Sequence, residues 1–251
     1  MACGGAALRP APPAAPVAVP ATPAPISAPP EPRRRADIAA PPLADATTSA
    51  DEWQAAHEAQ LRTRGRASAE LVLLGDSLAR GWFASRAFQK QWRQRKPLDL
   101  ALAGDQTQQL LWRIEHGALT GLSPRLVIVS AGSENLSHGF SPAETARGVA
   151  AVLSQIRDRL PDSHTLLLGL LPAGQTSSDP RRAAIDATNA ELRRLGGDRI
   201  TVVEPGGTFL EADGSLTPSA MTDFEHPTAL GYEALTLTVS LVAESLLQRS
   251  H

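Results

Sequence analysis

The chain has 251 residues, enough for one large domain or two small ones. Its formal net charge of −2 gives no electrostatic reason to expect a nucleic-acid partner. Cys3 is the only cysteine, so the sequence offers neither an internal disulfide nor a cysteine-based metal site, and the histidines show no metal-ligand spacing.

The N-terminal region differs in composition from the rest of the chain. Residues 1–43 contain 12 of the 21 prolines, alanine fills most of the gaps, and sizeable aliphatic residues are few. Such a stretch buries too little apolar surface to offset the entropy lost on ordering. We therefore predict a disordered Pro/Ala-rich tail or tether over residues 1–48 and a single folded domain over residues 49–251.

The sequence around Cys3 suggests a location. Ala2-Cys3-Gly4-Gly5, followed by the tether, resembles the end of a bacterial lipoprotein cleavage box, in which the cysteine becomes the lipidated first residue. The apolar segment that should precede it is missing, since the chain begins at Met1. We expect a periplasmic or cell-surface lipoprotein that meets the membrane only through a lipid anchor at Cys3. The alternative is a cytoplasmic protein with a disordered tail.

Hydrophobic periodicity is sustained only from residue 51 to residue 249. The helical stretches, in chain order, are Glu52–Arg62, Leu78–Trp92, Gln106–Glu115, Pro142–Leu160, Arg181–Leu195 and Ala229–Leu247. Short apolar runs predict five strands at Leu71–Leu74, Leu98–Ala103, Leu126–Ser130, Thr165–Leu171 and Ile200–Val203. Because these runs hardly alternate, they suit parallel strands buried on both faces. The alternation of strands and helices predicts an α/β fold, a three-layer α/β/α sandwich around a five-stranded parallel sheet.

The chemically interesting residues follow the predicted strands. Ser77 comes after the first strand, Gly104 after the second, and Glu134 and Asn135 after the third. Asp223 and His226 come after the fifth strand, just before the last helix. In a parallel sheet the loops after the strands gather at one edge, which is where ligands bind. We therefore expect these residues to share one site.

Ser77, His226 and Asp223 have the chemistry of a nucleophile, its base and the group that orients the base. A serine hydroxyl is a poor nucleophile until a neighbouring base takes its proton. Asp223 lies three residues before His226, so on a turn it can hold one imidazole nitrogen and leave the other for Ser77. The plainer alternatives are that Ser77 only caps a helix and that the Asp223–His226 turn caps the last one.

Four short blocks resemble the SGNH (GDSL) hydrolases, a family of esterases, lipases and carbohydrate deacetylases. The blocks are Gly75-Asp76-Ser77-Leu78, Ala103-Gly104-Asp105, Gly132-Ser133-Glu134-Asn135 and Asp223-Phe224-Glu225-His226. The resemblance implies catalytic roles for Ser77, Asp223 and His226. It also implies that Gly104 donates its backbone N–H to an oxyanion.

Two longer segments resemble one branch of this family, the catalytic subunits of the brain-type platelet-activating factor acetylhydrolase. They run from Gly104 to Glu115 and from Leu168 to Gln175. The resemblance implies a flavodoxin-like fold and hydrolysis of short acyl esters without metal or cofactor. It points to a small acyl-ester substrate, such as an acetylated saccharide or a lipid, and to a homodimer.

The third block departs from the family pattern, because Glu134 occupies the position of an asparagine that donates to the oxyanion. An ionised carboxylate cannot donate a hydrogen bond, and its charge opposes the developing negative oxygen. Three outcomes stay open: a protonated Glu134 donates, Asn135 moves into the oxyanion hole, or the pocket binds ligand with little or no turnover. A fourth arrangement, with Glu134 pointing away from the site as a structural group, is equally compatible with the sequence.

Overall fold

The computed structural model describes residues 1, 34–42, 49–63, 66–221 and 223–249. The chain divides into two units, Met1–Arg33 and Arg34–His251, and the second unit contains all the elements described below. Cys3 and most of the predicted tail lie outside the described residues.

Five parallel strands form the central sheet, in the order β2-β1-β3-β4-β5. This order is that of a flavodoxin-like sheet. The strands are β1 (Leu71–Gly75), β2 (Leu98–Ala101), β3 (Leu126–Ser130), β4 (His164–Leu168) and β5 (Ile200–Val203). Every residue of β1 and β3 is buried, which explains why these strands appear in the sequence as unbroken apolar runs.

Eight α-helices accompany the sheet within the described residues. They are α1 (Ala50–Leu61), α2 (Ser77–Ala84), α3 (Arg86–Trp92), α4 (Thr107–Glu115), α5 (Ser133–Ser137), α6 (Pro142–Arg159), α7 (Pro180–Arg193) and α8 (Ala229–Arg249). The single helix predicted over Leu78–Trp92 is in fact two helices. Ser85 adopts an extended conformation between them, and its side chain accepts a hydrogen bond from the Phe88 N–H to cap α3.

The helices cover both faces of the sheet, so the predicted α/β/α sandwich is confirmed. One face packs against α4, α6 and α7, and the other against α2, α3 and α8. By length and composition alone, Ala229–Gln248 of α8 is apolar enough to cross a membrane. Its Leu235, Val239 and Ala243 side chains are nevertheless fully buried in the hydrophobic core on the face of the sheet that α2, α3 and α8 cover.

The folded unit begins earlier than residue 49. Residues 34–42, which the composition assigns to the tail, contact the first turn of α4. The Ala36 carbonyl accepts a hydrogen bond from the Thr107 hydroxyl at 2.7 Å, and the Ala40 N–H donates to the Gln108 carbonyl at 3.1 Å. Ala36 is itself buried. These main-chain contacts order a segment whose own side chains carry too little apolar surface to reveal it in the sequence.

Candidate active site

The turn between β1 and α2 places Ser77 at the carboxyl edge of the sheet. A Cβ on Gly75 would lie 2.1 Å from the Ser130 carbonyl oxygen of β3, so only glycine fits where these strands approach. Asp76 is fully buried and caps α2 by accepting from the Leu78 N–H at 3.1 Å. Ser77 is therefore the first residue of α2, beside the positive end of the helix dipole.

Ser77 lines a pocket of about 150 Å³ together with Glu134 and His226. Its Oγ donates a hydrogen bond to Glu134 Oε1 at 3.1 Å. The backbone N–H of Ser77 has no protein acceptor within the described part of the chain. This N–H therefore remains available to a ligand oxygen.

Asp223 and His226 form a hydrogen-bonded pair on the loop before α8. Asp223 Oδ2 lies 2.7 Å from His226 Nδ1, while Oδ1 accepts from the backbone N–H groups of His226 at 2.7 Å and Glu225 at 3.0 Å. These bonds, led by that from the His226 N–H, lower the pKa of Asp223 from 3.8 to about 2. The carboxylate only accepts hydrogen bonds, so Nδ1 must carry the proton. Nε2 is then the basic nitrogen of the neutral imidazole.

A tight turn at Phe224 brings the two side chains together. Phe224 has φ +58°, a conformation that costs a residue other than glycine on the order of 1–3 kcal/mol. Two contacts hold it: its carbonyl accepts from the Gly174 N–H at 2.9 Å, and its ring packs against the core on the α8 side of the sheet. The loop is thus anchored to the segment after β4 on one side and to the core on the other.

Ser77 and His226 therefore face the same pocket, and Asp223 lies against His226 on the side of Nδ1. The hydroxyl proton of Ser77, however, is directed at Glu134 and not at His226. Hydrogen bonds between groups that exchange a proton often form only when a ligand is bound, so this arrangement is compatible with proton transfer from Ser77 to His226.

Glu134 is held at the pocket by the start of α5. Gly132 precedes that helix at φ +116°, where a Cβ would lie 2.9 Å from Thr145 Cγ2. The next residue, Ser133, donates its hydroxyl hydrogen bond to Asp76. Ser77 thus has two carboxyl groups nearby: that of Glu134, which accepts from its hydroxyl, and that of Asp76, the residue before it. Burial raises the pKa of Asp76 from 3.8 to about 7, the Ser133 hydrogen bond opposes this rise, and the charge of Glu134 adds to it.

Asn135 does not reach the pocket. Its side chain is fully buried, where Oδ1 accepts from the Thr107 N–H at 2.9 Å and Nδ2 donates to Gln108 Oε1 at 3.1 Å. Asn135 thereby fixes the N-terminus of α4. The expected substrate-binding role of Asn135 finds no support in this geometry, because both polar atoms of the side chain are already used.

Gly104 lies on the exposed loop after β2. Its φ of +79° requires glycine, although a Cβ there would meet nothing within 4 Å. Its N–H has no protein acceptor among the residues described. The next residue, Asp105, is fully buried, pairs with Arg113 and accepts from Trp53 Nε1 at 2.6 Å. This buried network fixes the position of the loop that presents the Gly104 N–H.

Sequence reasoning missed one wall of the pocket. Leu170, Ala184 and Ile185 line it from the end of β4 and from α7, and Arg181 stands at its rim. The Leu170 N–H and carbonyl are both bonded to the side chain of Asn189, at 2.7 and 3.0 Å. The only signal in the sequence is the amphipathic pattern of α7, which does not say whether its apolar face meets core or pocket.

No group of three or more His, Cys, Asp or Glu side chains that could hold a metal ion occurs in the ranges described. The polar side chains that line the pocket include the hydroxyl of Ser77, the imidazole of His226 and the carboxyl groups of Glu134 and Glu225, with Arg181 at the rim. This set suits acyl transfer.

Comparisons with known proteins agree with this chemistry. The chain is 29% identical over 182 residues to the platelet-activating factor acetylhydrolase IB subunit alpha1 of Bos taurus, covering 72% of this chain and 77% of that protein. It is 25% identical over 197 residues to subunit alpha2 from the same species, covering 77% and 84%. The structure of a GDSL-like lipase from Bacteroides thetaiotaomicron superposes with a TM-score of 0.59 at 19% identity. That match covers 78% of this chain and 97% of the lipase, and it speaks for the fold.

The family model of the GDSL-like lipases and acylhydrolases matches residues 73–234, which is more than half of the chain and spans Ser77, Gly104, Glu134, Asp223 and His226. The chain therefore belongs to the GDSL-like lipase/acylhydrolase family and is an ester-hydrolysing enzyme.

Proposed function

We propose that the enzyme is a serine esterase in which Ser77, His226 and Asp223 form a catalytic triad. The observation that carries the proposal is that Ser77 and His226 line one pocket while Asp223 holds His226 Nδ1. His226 Nε2 then takes the proton of Ser77 as Oγ attacks the acyl carbon, and the charged Asp223 stabilises the imidazolium that forms.

The tetrahedral intermediate carries a negative oxygen that needs hydrogen-bond donors. The backbone N–H groups of Ser77 and Gly104 are the proposed donors, since neither has a protein acceptor in the described structure. When the intermediate collapses, the imidazolium returns its proton to the leaving alkoxide and an acyl-Ser77 ester remains. Water, activated by the same imidazole, then attacks that ester and releases the carboxylic acid.

The substrate that we propose is a small acyl ester, of the acetyl type, on a saccharide or a lipid. The name of the relatives, acetylhydrolase, supports a short acyl group. So does the pocket, whose volume of about 150 Å³ is bounded on one side by Leu136, Leu170 and Ile185. The reaction as proposed uses no cofactor.

We also propose a cellular location and an oligomeric state for the protein. The sequence around Cys3 supports a lipid-anchored periplasmic or cell-surface protein, with a cytoplasmic protein as the alternative. The relatives are named subunit alpha1 and subunit alpha2, which supports assembly of this chain with a further chain, and we propose a homodimer.

The test is covalent labelling. A fluorophosphonate probe should react with the wild-type protein at Ser77, and Ser77→Ala should abolish both the labelling and the hydrolysis of an aryl acetate. Ser137→Ala is the matched control, because Ser137 also lines the pocket and should leave labelling in place. Undiminished turnover by Ser77→Ala would refute the proposed nucleophile. A wild-type protein that neither reacts nor turns over would favour a pocket that only binds.

A further inference from the structure

The hydrogen bonds that hold Asp223 extend beyond the pocket through the main chain. The Glu225 N–H donates to Asp223 Oδ1 at 3.0 Å. The carbonyl of the same peptide unit, which belongs to Phe224, accepts from the Gly174 N–H at 2.9 Å. Because a peptide unit is planar and rigid, the Gly174 N–H helps to set the direction in which the Glu225 N–H points.

A second peptide unit continues this contact to α7. The N–H of Gly174 and the carbonyl of Ala173 belong to one peptide unit, and this carbonyl accepts from Arg182 Nε at 2.8 Å. Arg182 Nη2 also donates to the Gly174 carbonyl at 2.9 Å. Arg182 is therefore connected to Asp223 through three hydrogen bonds and the two peptide units between them.

The three hydrogen bonds all run in the same direction, with the Arg182 cation at the donor end and the Asp223 carboxylate at the acceptor end. Hydrogen bonds aligned in this way polarise and strengthen one another. At the acceptor end, the bond from the His226 N–H contributes most to the lowered pKa of Asp223, and the bond from the Glu225 N–H adds to it. The chain of bonds thus stabilises the carboxylate that holds His226 Nδ1.

Arg182 is buried in the first turn of α7, unlike the other arginines at the ends of that helix. In the described structure, the ion pairs of α7 are formed by Arg181, Arg193 and Arg194 and not by Arg182. Asp179 feels the charge of Arg182 but is bonded to Arg181. A buried cation is costly unless its N–H groups are bonded, and here two main-chain carbonyls supply the bonds. The guanidinium is therefore explained by the loop that it holds.

The loop that carries these carbonyls packs closely against the start of α7. Gly174 has φ +87°, and a Cβ on it would lie 2.1 Å from Asp179 Cγ, so only glycine fits there. At the other end of the chain of bonds, Phe224 has φ +58°. A residue in such a conformation persists only when its surroundings hold it. Without Arg182, the peptide unit that bonds the Phe224 carbonyl loses its own support, and the turn is expected to relax.

We propose that Arg182 is a positioning residue for the proposed base: its guanidinium orients the two peptide units that hold Asp223, and thereby the His226 ring. The described residues that line the pocket include Ala173 and Arg181 but not Arg182. Arg182 therefore acts through Asp223 and not on the substrate. This inference rests on the proposed function, since it needs His226 to be the base.

The test replaces Arg182 with methionine, which keeps an unbranched side chain but has no N–H to donate. We expect kcat for an aryl acetate to fall by about 10–10²-fold, because a misplacement of about 1 Å at the reacting groups can cost that much. The change in KM should be smaller. Arg182→Lys keeps the charge but not the planar fork of donors, so its kcat should lie between those of Arg182→Met and the wild type.

A second measurement reports on the base directly. The proton on His226 Nδ1, bonded to Asp223 at 2.7 Å, should give a downfield resonance in the proton NMR spectrum, identified by its loss in His226→Gln. In Arg182→Met this resonance should move upfield or broaden. A loss of stability alone would leave the resonance of the folded molecules where it is.

Two further variants of α7 are the controls. Leu192→Ala empties a fully buried core position, so it should lower the urea midpoint without changing the kcat of the folded protein. Arg193→Met removes a cation of the same helix, one that is bonded to Glu204 at 2.7 Å, and it should leave kcat unchanged.

The outcomes separate this inference from the proposed function. If Arg182→Met keeps the wild-type kcat while a fluorophosphonate still labels Ser77, Arg182 has no positioning role and the esterase proposal stands. If the loss falls mainly on KM, or if Leu192→Ala loses as much kcat, Arg182 serves the pocket wall or stability alone, and the inference is overturned. If Arg182→Met does not fold, Arg182→Lys decides by the same criteria. If Ser77 is not labelled in the wild type, the proposed function itself fails, and this inference with it.

Discussion

At the scale of single residues, the carboxylate of Asp223 both orients the His226 ring and stabilises the turn that carries it. Its Oδ2 holds His226 Nδ1 at 2.7 Å, and its Oδ1 ties the main chain of the same turn through the N–H groups of Glu225 and His226. The bond at Oδ2 selects the imidazole tautomer. The two bonds at Oδ1 fix the backbone from which the His226 side chain projects. The orientation of His226, the proposed base, and the geometry of the loop are therefore linked through this one side chain.

Replacing Asp223 with Asn should separate the effect of the negative charge on His226 from the effect of the hydrogen bonds that hold the turn. The amide oxygen can still accept from the backbone N–H groups, so the turn should persist, but the negative charge that stabilises the imidazolium is gone. We expect kcat to fall by about 10²–10⁴ with KM little changed, measured by steady-state hydrolysis of an aryl acetate.

Asp213→Asn is the matched control for this change. Asp213 also accepts from a backbone N–H two residues on, that of Ser215 at 2.9 Å, but within the described residues it is bonded to no histidine. Its substitution should leave kcat as it is. A wild-type kcat in Asp223→Asn would remove Asp223 from the mechanism.

Glu134 and Asn135 show where residue-level prediction stops. The sequence places both after β3 and therefore near the carboxyl edge, which the structure bears out. It cannot say which of two neighbours faces the pocket, because consecutive helical side chains point about 100° apart. That choice is made by the start of α5 after Gly132 and by the Thr107 N–H, which binds Asn135 from another element.

At the scale of elements, α2 and α8 approach each other closely behind Ser77. A Cβ on Gly81 of α2 would lie 2.1 Å from Tyr232 Oη and 3.0 Å from Tyr232 Cζ. The Tyr232 hydroxyl also lies in the field of Asp76 and Asp223; with burial as the larger cause, the pKa of Tyr232 rises to about 12. The glycine in the middle of α2 is therefore required by the neighbouring helix.

Gly81→Ala should destabilise the protein even though alanine favours a helix by about 1 kcal/mol over glycine. The rigid Tyr232 ring must move out of a half-buried site, and overpacking of this kind costs about 1–3 kcal/mol. Chemical denaturation would measure the loss. Adding Tyr232→Phe should restore part of it, because the hydroxyl oxygen makes the closest contact. An alanine variant as stable as the wild type would show that the helices separate freely.

Prediction of the helices and strands succeeded where an element is recognisable in the sequence as a run of apolar residues. β3 and β5 have the predicted ends, because both are mostly apolar runs bounded by polar residues; β3 is buried throughout, whereas the edge strand β5 is half-buried. The break at Ser85 was missed because helical spacing is present on both sides of it, between Leu78 and Trp82 before it and between Phe88 and Trp92 after it. The helix α5 was missed because five residues are too few to show a period.

At the scale of the whole molecule, the net charge of −2 conceals an uneven distribution. The carboxyl edge of the sheet gathers the negative groups Asp76, Asp105, Glu134 and Asp223, and Arg113 offsets only one of them directly. The fold thus holds carboxyl groups in two opposite states. Asp223 is exposed and stabilised as an anion, while Asp76 is buried and favours its protonated form.

The raised pKa of Asp76 should make the stability of the protein depend on pH. Its pKa is about 7 in the folded protein and near 3.8 when unfolded, so between these pH values the folded state binds more protons. The free energy of unfolding must then fall as pH rises through this window. Asp76→Asn abolishes this pH-dependent contribution to the free energy of unfolding, while asparagine still serves as an N-cap for α2. A gap of about three pKa units corresponds to about 4 kcal/mol at most. The stability of the variant relative to the wild type should therefore rise by about 2–4 kcal/mol from pH 4 to pH 7, then stay level.

Urea denaturation of both proteins at a series of pH values would measure this difference. The contribution of Asp223 is lost only as pH falls from about 4 towards 2, and it is common to both proteins, so it drops out. In a Glu134→Gln background the rise should be smaller, because part of the cost of charging Asp76 comes from Glu134. A difference that does not change with pH would mean that Asp76 is as easily ionised in the folded protein as in water.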